Sequence, residues 1–173
     1  MLLCGRSFSG KSTVAGWLQT GLAAEVVSLD ALNAERGLDG GQGIPLEEWA
    51  RTNELATAQV EALLRSGRTA VVDDTASPRF LRDGWRDCAR RAGAAFVLLH
   101  VQADDDVVRQ RLLANRGSGE RADVVDAVMA EHLASFEPPQ PDEAALTHRS
   151  GEGSPAELVE AVRRRLAPGT PGR

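Results

Sequence analysis

Short unbroken apolar runs alternate along this chain with longer stretches in which apolar residues recur at helical spacing. Leu2-Leu3-Cys4 is the first run and reads as a buried strand. Val14, Leu18 and Leu22 follow four apart, with Trp17 and Gly21 between them, and predict a helix ending near Gly21 to Ala24. Glu25-Val26-Val27-Ser28-Leu29-Asp30 reads as a second buried strand with a carboxylate at its C-terminal end. From Ala31 to Pro45 no period holds, and Gly37, Gly40, Gly41 and Gly43 predict a loop. A long helix is expected from about Leu46 to Arg65, with Leu46, Trp49, Asn53, Ala56, Val60 and Leu63 on one stripe and Gly67 closing it. Asn53 is the polar member of that stripe, either a satisfied buried amide or a substrate contact.

Thr69-Ala70-Val71-Val72-Asp73-Asp74-Thr75 is a third strand, again ending in carboxylates. Pro78 opens a helix with Leu81, Trp85, Cys88 and Ala92 inward, stopped by Gly93, and Ala95 to Val101 reads as a central strand. Asp104 caps a helix from about Asp105 to Asn115. The link Arg116-Gly117-Ser118-Gly119-Glu120-Arg121 interrupts it, and Val125, Val128, Met129, His132 and Phe136 mark another amphipathic helix. Pro138, Pro139 and Pro141 break the chain before a short strand at Ala145 to His148. Ser154-Pro155-Ala156-Glu157 is a capping box that opens a last helix burying Leu158, Val162 and Leu166. The alternation predicts an α/β fold: one domain over residues 1–167 with a parallel, doubly wound sheet of about five strands, a short lid near 116–121, and a disordered tail over 168–173.

Composition narrows the partners. Hydrophobic residues at 42% and charged residues at 26% are ordinary for a globular chain, and no apolar run nears the roughly 20 residues of a membrane span. With no signal-peptide pattern either, the expectation is a cytoplasmic protein. Cys4 and Cys88 read as reduced core thiols, and Trp17, Trp49 and Trp85 as core residues on helical stripes. The net charge of −5 argues against a grip on long nucleic acid, which draws most of its affinity from neutralised phosphates, and favours a small-molecule partner.

One stretch carries specific chemistry. Gly5-Arg6-Ser7-Phe8-Ser9-Gly10-Lys11-Ser12-Thr13 has the form G-x-x-x-x-G-K-[ST], with a strand before it and a helix pattern after it. In such a P-loop the glycines let backbone N–H groups curl around phosphate oxygens while the helix N-terminus faces the same anion. Gly5, Ser7, Ser9, Gly10, Lys11, Ser12 and Thr13 are therefore the expected nucleotide contacts, with Lys11 on the outer phosphates and Ser12 on Mg²⁺. A guanine-reading N-K-x-D string is absent, so ATP is the expected nucleotide.

Phosphoryl transfer also needs in-line placement, Mg²⁺, positive charge facing the equatorial oxygens of the transferred group, and a group to take the acceptor hydroxyl's proton. Asp30 is the candidate base, with a helix N-cap or Mg²⁺ partner as the plainer alternatives. Asp73 is a candidate to hold a Mg²⁺-bound water, and Asp74 and Thr75 to face the acceptor, with the division between the two aspartates left open. Arg116 and Arg121 would close over the phosphate as a lid; the alternative is a solvated basic face shared with Arg109 and Arg111.

The sequence of GRSFSGKST, then SLD, then VVDDT with Pro78 and Arg79, then an arginine-bearing lid before FEPP, resembles the P-loop hydroxyl kinases. That group includes polynucleotide 5′-hydroxyl kinase, chloramphenicol phosphotransferase, zeta toxins and small ATP-binding proteins with an AAA-type label. The resemblance runs from Met1 to about Leu166. It implies a kinase-type core, with Asp30 matching the catalytic aspartate, Arg116 a lid arginine, Asp74-Thr75 a substrate-side pair, and the segment His148 to Gly153 bordering the adenine. Polynucleotide kinases carry an arginine three residues after the base; here that position is Asn33, with Arg36 one turn on. The expectation is an ATP- and Mg²⁺-dependent kinase acting on a hydroxyl of a small molecule such as an antibiotic-like compound, sugar or nucleotide. Polynucleotide 5′-kinase and a non-transferring ATP-binding switch are the alternatives.

Overall fold

The computed structural model describes residues 1–38, 43–118 and 134–167. Five strands, β1 (Leu2–Cys4), β2 (Glu25–Ser28), β3 (Ala70–Asp73), β4 (Leu98–Gln102) and β5 (Leu146–Arg149), pair in parallel in the order β2-β3-β1-β4-β5. Register sets Ser28 opposite Asp73 and Cys4 opposite His100. The C-terminal ends of β1, β2 and β3 therefore lie side by side, and the turn after β1 falls where the chain switches direction across the sheet.

Alternation of side chains along β1 divides the core in two. Leu2 and Cys4 join Val27, Val72, Trp85 and Cys88 on one face, while Leu3 joins Val14, Leu18, Val71 and Leu99 on the other. The first face is covered by α3 (Leu46–Arg65) and α4 (Arg79–Arg91), the second by α1 (Lys11–Leu22) and α6 (Pro155–Leu166). Both cysteines are free and buried. Burial pushes the Cys4 thiol up to about 12, so it serves the core as a small apolar side chain.

Four expectations need correcting. β2 stops at Ser28, whose hydroxyl accepts from Ala31 N at 3.3 Å, and α2 (Leu29–Glu35) starts at once. Asp30 thus stands in the first turn of a helix and not at a strand end, and the segment from Ala31 begins helical. Cap chemistry won over strand pattern there. On α3 the buried stripe is Thr52, Ala56 and Val60, and Leu46 is 86% exposed, outside that stripe. Asn53 is half-buried and returns its amide to Trp49 O at 3.0 Å. On α4 the buried positions are Arg82, Trp85, Cys88 and Ala89. Finally α5 (Asp105–Ser118) runs through Arg116, so that residue lies on a helix and not in a link.

Arg121, the expected helix through Val125, Val128, Met129 and His132, and the tail from Pro168 lie outside the described residues. Trp85 is core, whereas Trp17 and Trp49 are half-buried. Among the described residues no helix is long and apolar enough to cross a membrane.

Candidate active site

β1 delivers its chain to Gly5, where the backbone turns tightly under Val101: a Cβ at Gly5 would run into the Val101 carbonyl oxygen and come within 2.9 Å of Ser9 Oγ. Phe8 (φ 61°) and Gly10 (φ 102°) both take left-handed backbone, which turns successive N–H groups inward as a concave nest. Phe8 does so at a steric cost that the surrounding bonds must hold. Those bonds are present. Gly5 N donates to Thr75 O at 3.2 Å, Arg6 Nη2 to Ala103 O at 3.0 Å and Asp105 Oδ1 at 2.6 Å, and Arg111 Nη1 to Phe8 O at 3.0 Å. Arg111 also donates to Ser150 Oγ at 2.7 Å, tying the loop to the turn after β5.

The loop opens into α1 with Gly10 as N-cap, no side-chain cap and no acidic residue in the first turn. The first N–H groups of α1 are therefore left for an anion. Ser12 and Thr13 are exposed at that end. Ser9 is buried to 1% exposure and its hydroxyl has no hydrogen-bond partner; Ser7 is half-buried. A Cβ at Gly10 would come within 3.2 Å of both Arg111 Nη1 and Ser150 Oγ, so only glycine keeps that side of the cradle open. An orphan hydroxyl, an uncapped helix end and a cradle that excludes Cβ suit a polyphosphate.

Lys11 folds back over the loop, donating to Gly5 O and Arg6 O at 3.0 Å each. Burial pulls its ammonium below the usual lysine range, and Asp73, Asp74 and Asp30, in that order, oppose the shift. Asp73 ends β3, Asp74 opens the turn after it and Asp30 stands in the first turn of α2. Asp74 accepts from Thr75 N at 2.7 Å through Oδ1, while its Oδ2 is buried without a partner. Burial raises its carboxyl to about 6, against the pull of Lys11 and of the Thr75 and Ala76 amides. Asp73 is half-buried and Asp30 is exposed.

The other expected residues scatter. Asn33 is buried on α2, accepting from Thr52 Oγ1, with its Nδ2 unpartnered. Arg36 donates to the Glu48 carboxylate, to Glu48 O at 2.8 Å and to Thr52 Oγ1. Arg79 turns to Asp142, at 3.2 and 2.6 Å. Arg116 is exposed on the last turn of α5. His148 is buried edge-on against Trp17, with ring centroids 5.7 Å apart. Sequence reasoning missed Arg82, which is fully buried and donates to Glu143 Oε2 at 2.6 Å, Glu143 Oε1 at 2.8 Å, Ala76 O at 3.0 Å, Glu137 O at 3.0 Å and Ser77 O. It fixes the turn that carries Asp74 and Thr75. Its place three residues before Trp85 sets it on the inward stripe of α4, but the local pattern gives no sign that Glu143 meets its charge there.

Fold and loop together define a kinase-type P-loop NTPase. The chain belongs to the AAA domain family, whose model matches residues 1–139. Among solved structures, Kti12 from Chaetomium thermophilum in complex with ADP-AlF3 is 16% identical, with 96% of this chain and 98% of that chain covered and a TM-score of 0.76. A sugar kinase from Janibacter sp. is 22% identical over 96% and 94%, with a TM-score of 0.71. APS kinase from Mycobacterium tuberculosis in complex with AMPPNP and APS is 20% identical over 95% and 96%, with a TM-score of 0.66. At these identities the likeness is one of fold. No curated protein matches the chain.

Proposed function

We propose that this protein is an ATP- and Mg²⁺-dependent phosphotransferase that moves the γ-phosphate of ATP to a hydroxyl of a small molecule. The observation that carries the reading is the phosphate cradle after β1, with the buried, unpartnered Ser9 hydroxyl and the uncapped start of α1, set beside the acid-bearing end of β3 at Asp73 and Asp74. A nucleotide switch needs the loop and a metal ligand. Acceptor chemistry needs a further base, and Asp30 supplies one that is exposed and unencumbered by the P-loop's own bonds. The sugar kinase and APS kinase among the structural neighbours support a small acceptor.

In this reading the N–H groups of the loop from Gly5 to Lys11, with Ser7, Ser9, Ser12 and Thr13, hold the phosphates, and Lys11 releases its loop carbonyls to reach the outer ones. Mg²⁺, when bound, offsets negative charge on the β- and γ-phosphates. Ser12 Oγ and Asp73 would hold it. Asp30 takes the proton of the acceptor hydroxyl, with Asp74 and Thr75 orienting the acceptor. Arg116 and Arg121 carry positive charge to the transferred group, and the turn from His148 to Gly153 borders the adenine.

Asp30→Asn tests the base. ATP binding is expected to hold while transfer falls by about 10²- to 10⁴-fold, the usual contribution of a positioned base. Undiminished transfer by this variant would remove Asp30 from the role. Labelling of a 5′-hydroxyl oligonucleotide with steep salt dependence would instead mark a polynucleotide kinase. Nucleotide binding with no transfer to any of a broad hydroxyl panel would mark a switch.

A further inference from the structure

The two arginines that precede Arg116 on α5 differ in their surroundings. Arg109 is exposed, whereas Arg111 is half-buried and turned onto the P-loop. Its Nη1 donates to Phe8 O at 3.0 Å and its Nη2 to Ser150 Oγ at 2.7 Å, so one planar fork joins the loop after β1 to the turn after β5. The fork lies against the N-cap of α1, because a Cβ at Gly10 would come within 3.2 Å of both Arg111 Nη1 and Ser150 Oγ. Its far end is fixed in turn: Ser150 N donates to Gln102 O, on β4, at 2.7 Å.

What the fork holds is the carbonyl of a strained residue. Phe8 takes φ 61°, a left-handed conformation that is costly for a bulky side chain and costs glycine nothing sterically. In the planar, trans Phe8–Ser9 peptide the C=O and the N–H point opposite ways. With Phe8 O held by Arg111, Ser9 N is turned across the loop, where it donates to Arg6 O at 3.2 Å. Ser9 carries the buried hydroxyl that has no partner, and Gly10 follows at φ 102° as the N-cap of α1. Relaxation of Phe8 to ordinary right-handed or extended backbone would rotate this peptide and carry the Ser9 N–H out of the cradle. The other side-chain tie from α5, Arg6 Nη2 to Asp105 Oδ1 at 2.6 Å, is weaker protection: the Asp105 side chain is 83% exposed, and exposed ion pairs are screened by water and salt. It also grips Arg6, two residues ahead of the strained position.

We infer that Arg111 is a positioning residue for nucleotide binding: by holding Phe8 O and Ser150 Oγ in one fork, it keeps a non-glycine residue in left-handed backbone and the P-loop in its phosphate-binding shape. Arg111 acts through the Phe8 backbone and not by touching phosphate. Its dependence on Phe8 is what separates this role from a direct ionic contact and from a general part in stability.

A double-variant cycle on the full chain tests it, with the Kd of AMPPNP and Mg²⁺ measured by calorimetry. Arg111→Gln is expected to weaken binding at least tenfold, the scale of a lost hydrogen bond from a charged donor. Phe8→Gly alone is expected to bind within about threefold of wild type, since glycine reaches the same backbone without strain. In the Phe8→Gly background, Arg111→Gln should then cost no more than about threefold. An equal loss in both backgrounds would mean that the guanidinium meets the nucleotide itself or serves stability alone, and overturns the role; so does an Arg111→Gln variant that binds as wild type, or a Phe8→Gly variant that no longer binds. Should Arg111→Gln fail to fold, Ser150→Ala carries the same cycle with every charge in place. A loss of about threefold with Phe8 that disappears in the Phe8→Gly background supports the role, and a loss that is absent or equal in both overturns it. Because only nucleotide binding is read, the outcome does not depend on whether an acceptor is phosphorylated.

Discussion

Arg82 holds a full positive charge inside the protein, bonded to both oxygens of Glu143 and to three carbonyls. Burying a guanidinium costs several kcal/mol unless every donor is met, and here the carboxylate meets two of them. The Arg82 hydrogen bonds in turn pull Glu143 down to about 2. Removing one partner strands the other, so Arg82→Met or Glu143→Gln is expected to cost about 3 kcal/mol in chemical denaturation. The pH dependence has a definite sign. Glu143 is depressed in the folded state, so its contribution is complete above its ordinary value near 4.5 and is lost as pH falls toward 2. The stability gap between wild type and Glu143→Gln should therefore close over that window, and a gap independent of pH would contradict the assignment. Asp30 and Asp74 could be picked out from the sequence by their motifs. Arg82 could not, because burial of its charge depends on a glutamate 61 residues away.

The helices follow their local signals closely where those signals are caps. Ser154 and Glu157 exchange hydrogen bonds with each other's backbone N–H at the start of α6, as the S-P-A-E string implies. The S-L-D-A string after β2 carried the same kind of signal, yet the valines before it and the glycines after it read more strongly as strand and loop. Packing between helices is less legible. Gly21 in α1 would, with a Cβ, meet Val159 Cγ2 at 2.7 Å and Cγ1 at 2.8 Å on α6. By helix propensity alone Gly21→Ala should stabilise by up to about 1 kcal/mol. Contact with a β-branched side chain reverses the sign, and a loss of about 1–3 kcal/mol is expected. In the double variant with Val159→Ala, thermal unfolding should show most of the Gly21→Ala cost relieved relative to Val159→Ala alone.

At the scale of the whole molecule, function rests on the strand order β2-β3-β1-β4-β5. It sets the P-loop after β1 beside the acids after β3 and at the start of α2. Nucleotide that binds only the folded chain should stabilise it by about 2.7 kcal/mol at a hundred times its Kd. A rise in Tm of several degrees with ATP and Mg²⁺ is expected, and Lys11→Met should abolish most of it. An unchanged shift in that variant would mean that the nucleotide is held elsewhere. The sequence by itself determined the P-loop, the α/β alternation, most helix bounds and the acid-bearing end of β3, because these are matters of local pattern, backbone freedom and capping. Only the tertiary structure decided that Asp30 starts a helix, that Arg36, Arg79 and Arg82 are claimed by Glu48, Asp142 and Glu143, and that Lys11 is buried with its ammonium on the Gly5 and Arg6 carbonyls. Those outcomes depend on which distant segments the sheet brings together, and the charge state of a side chain follows from the neighbours it meets there.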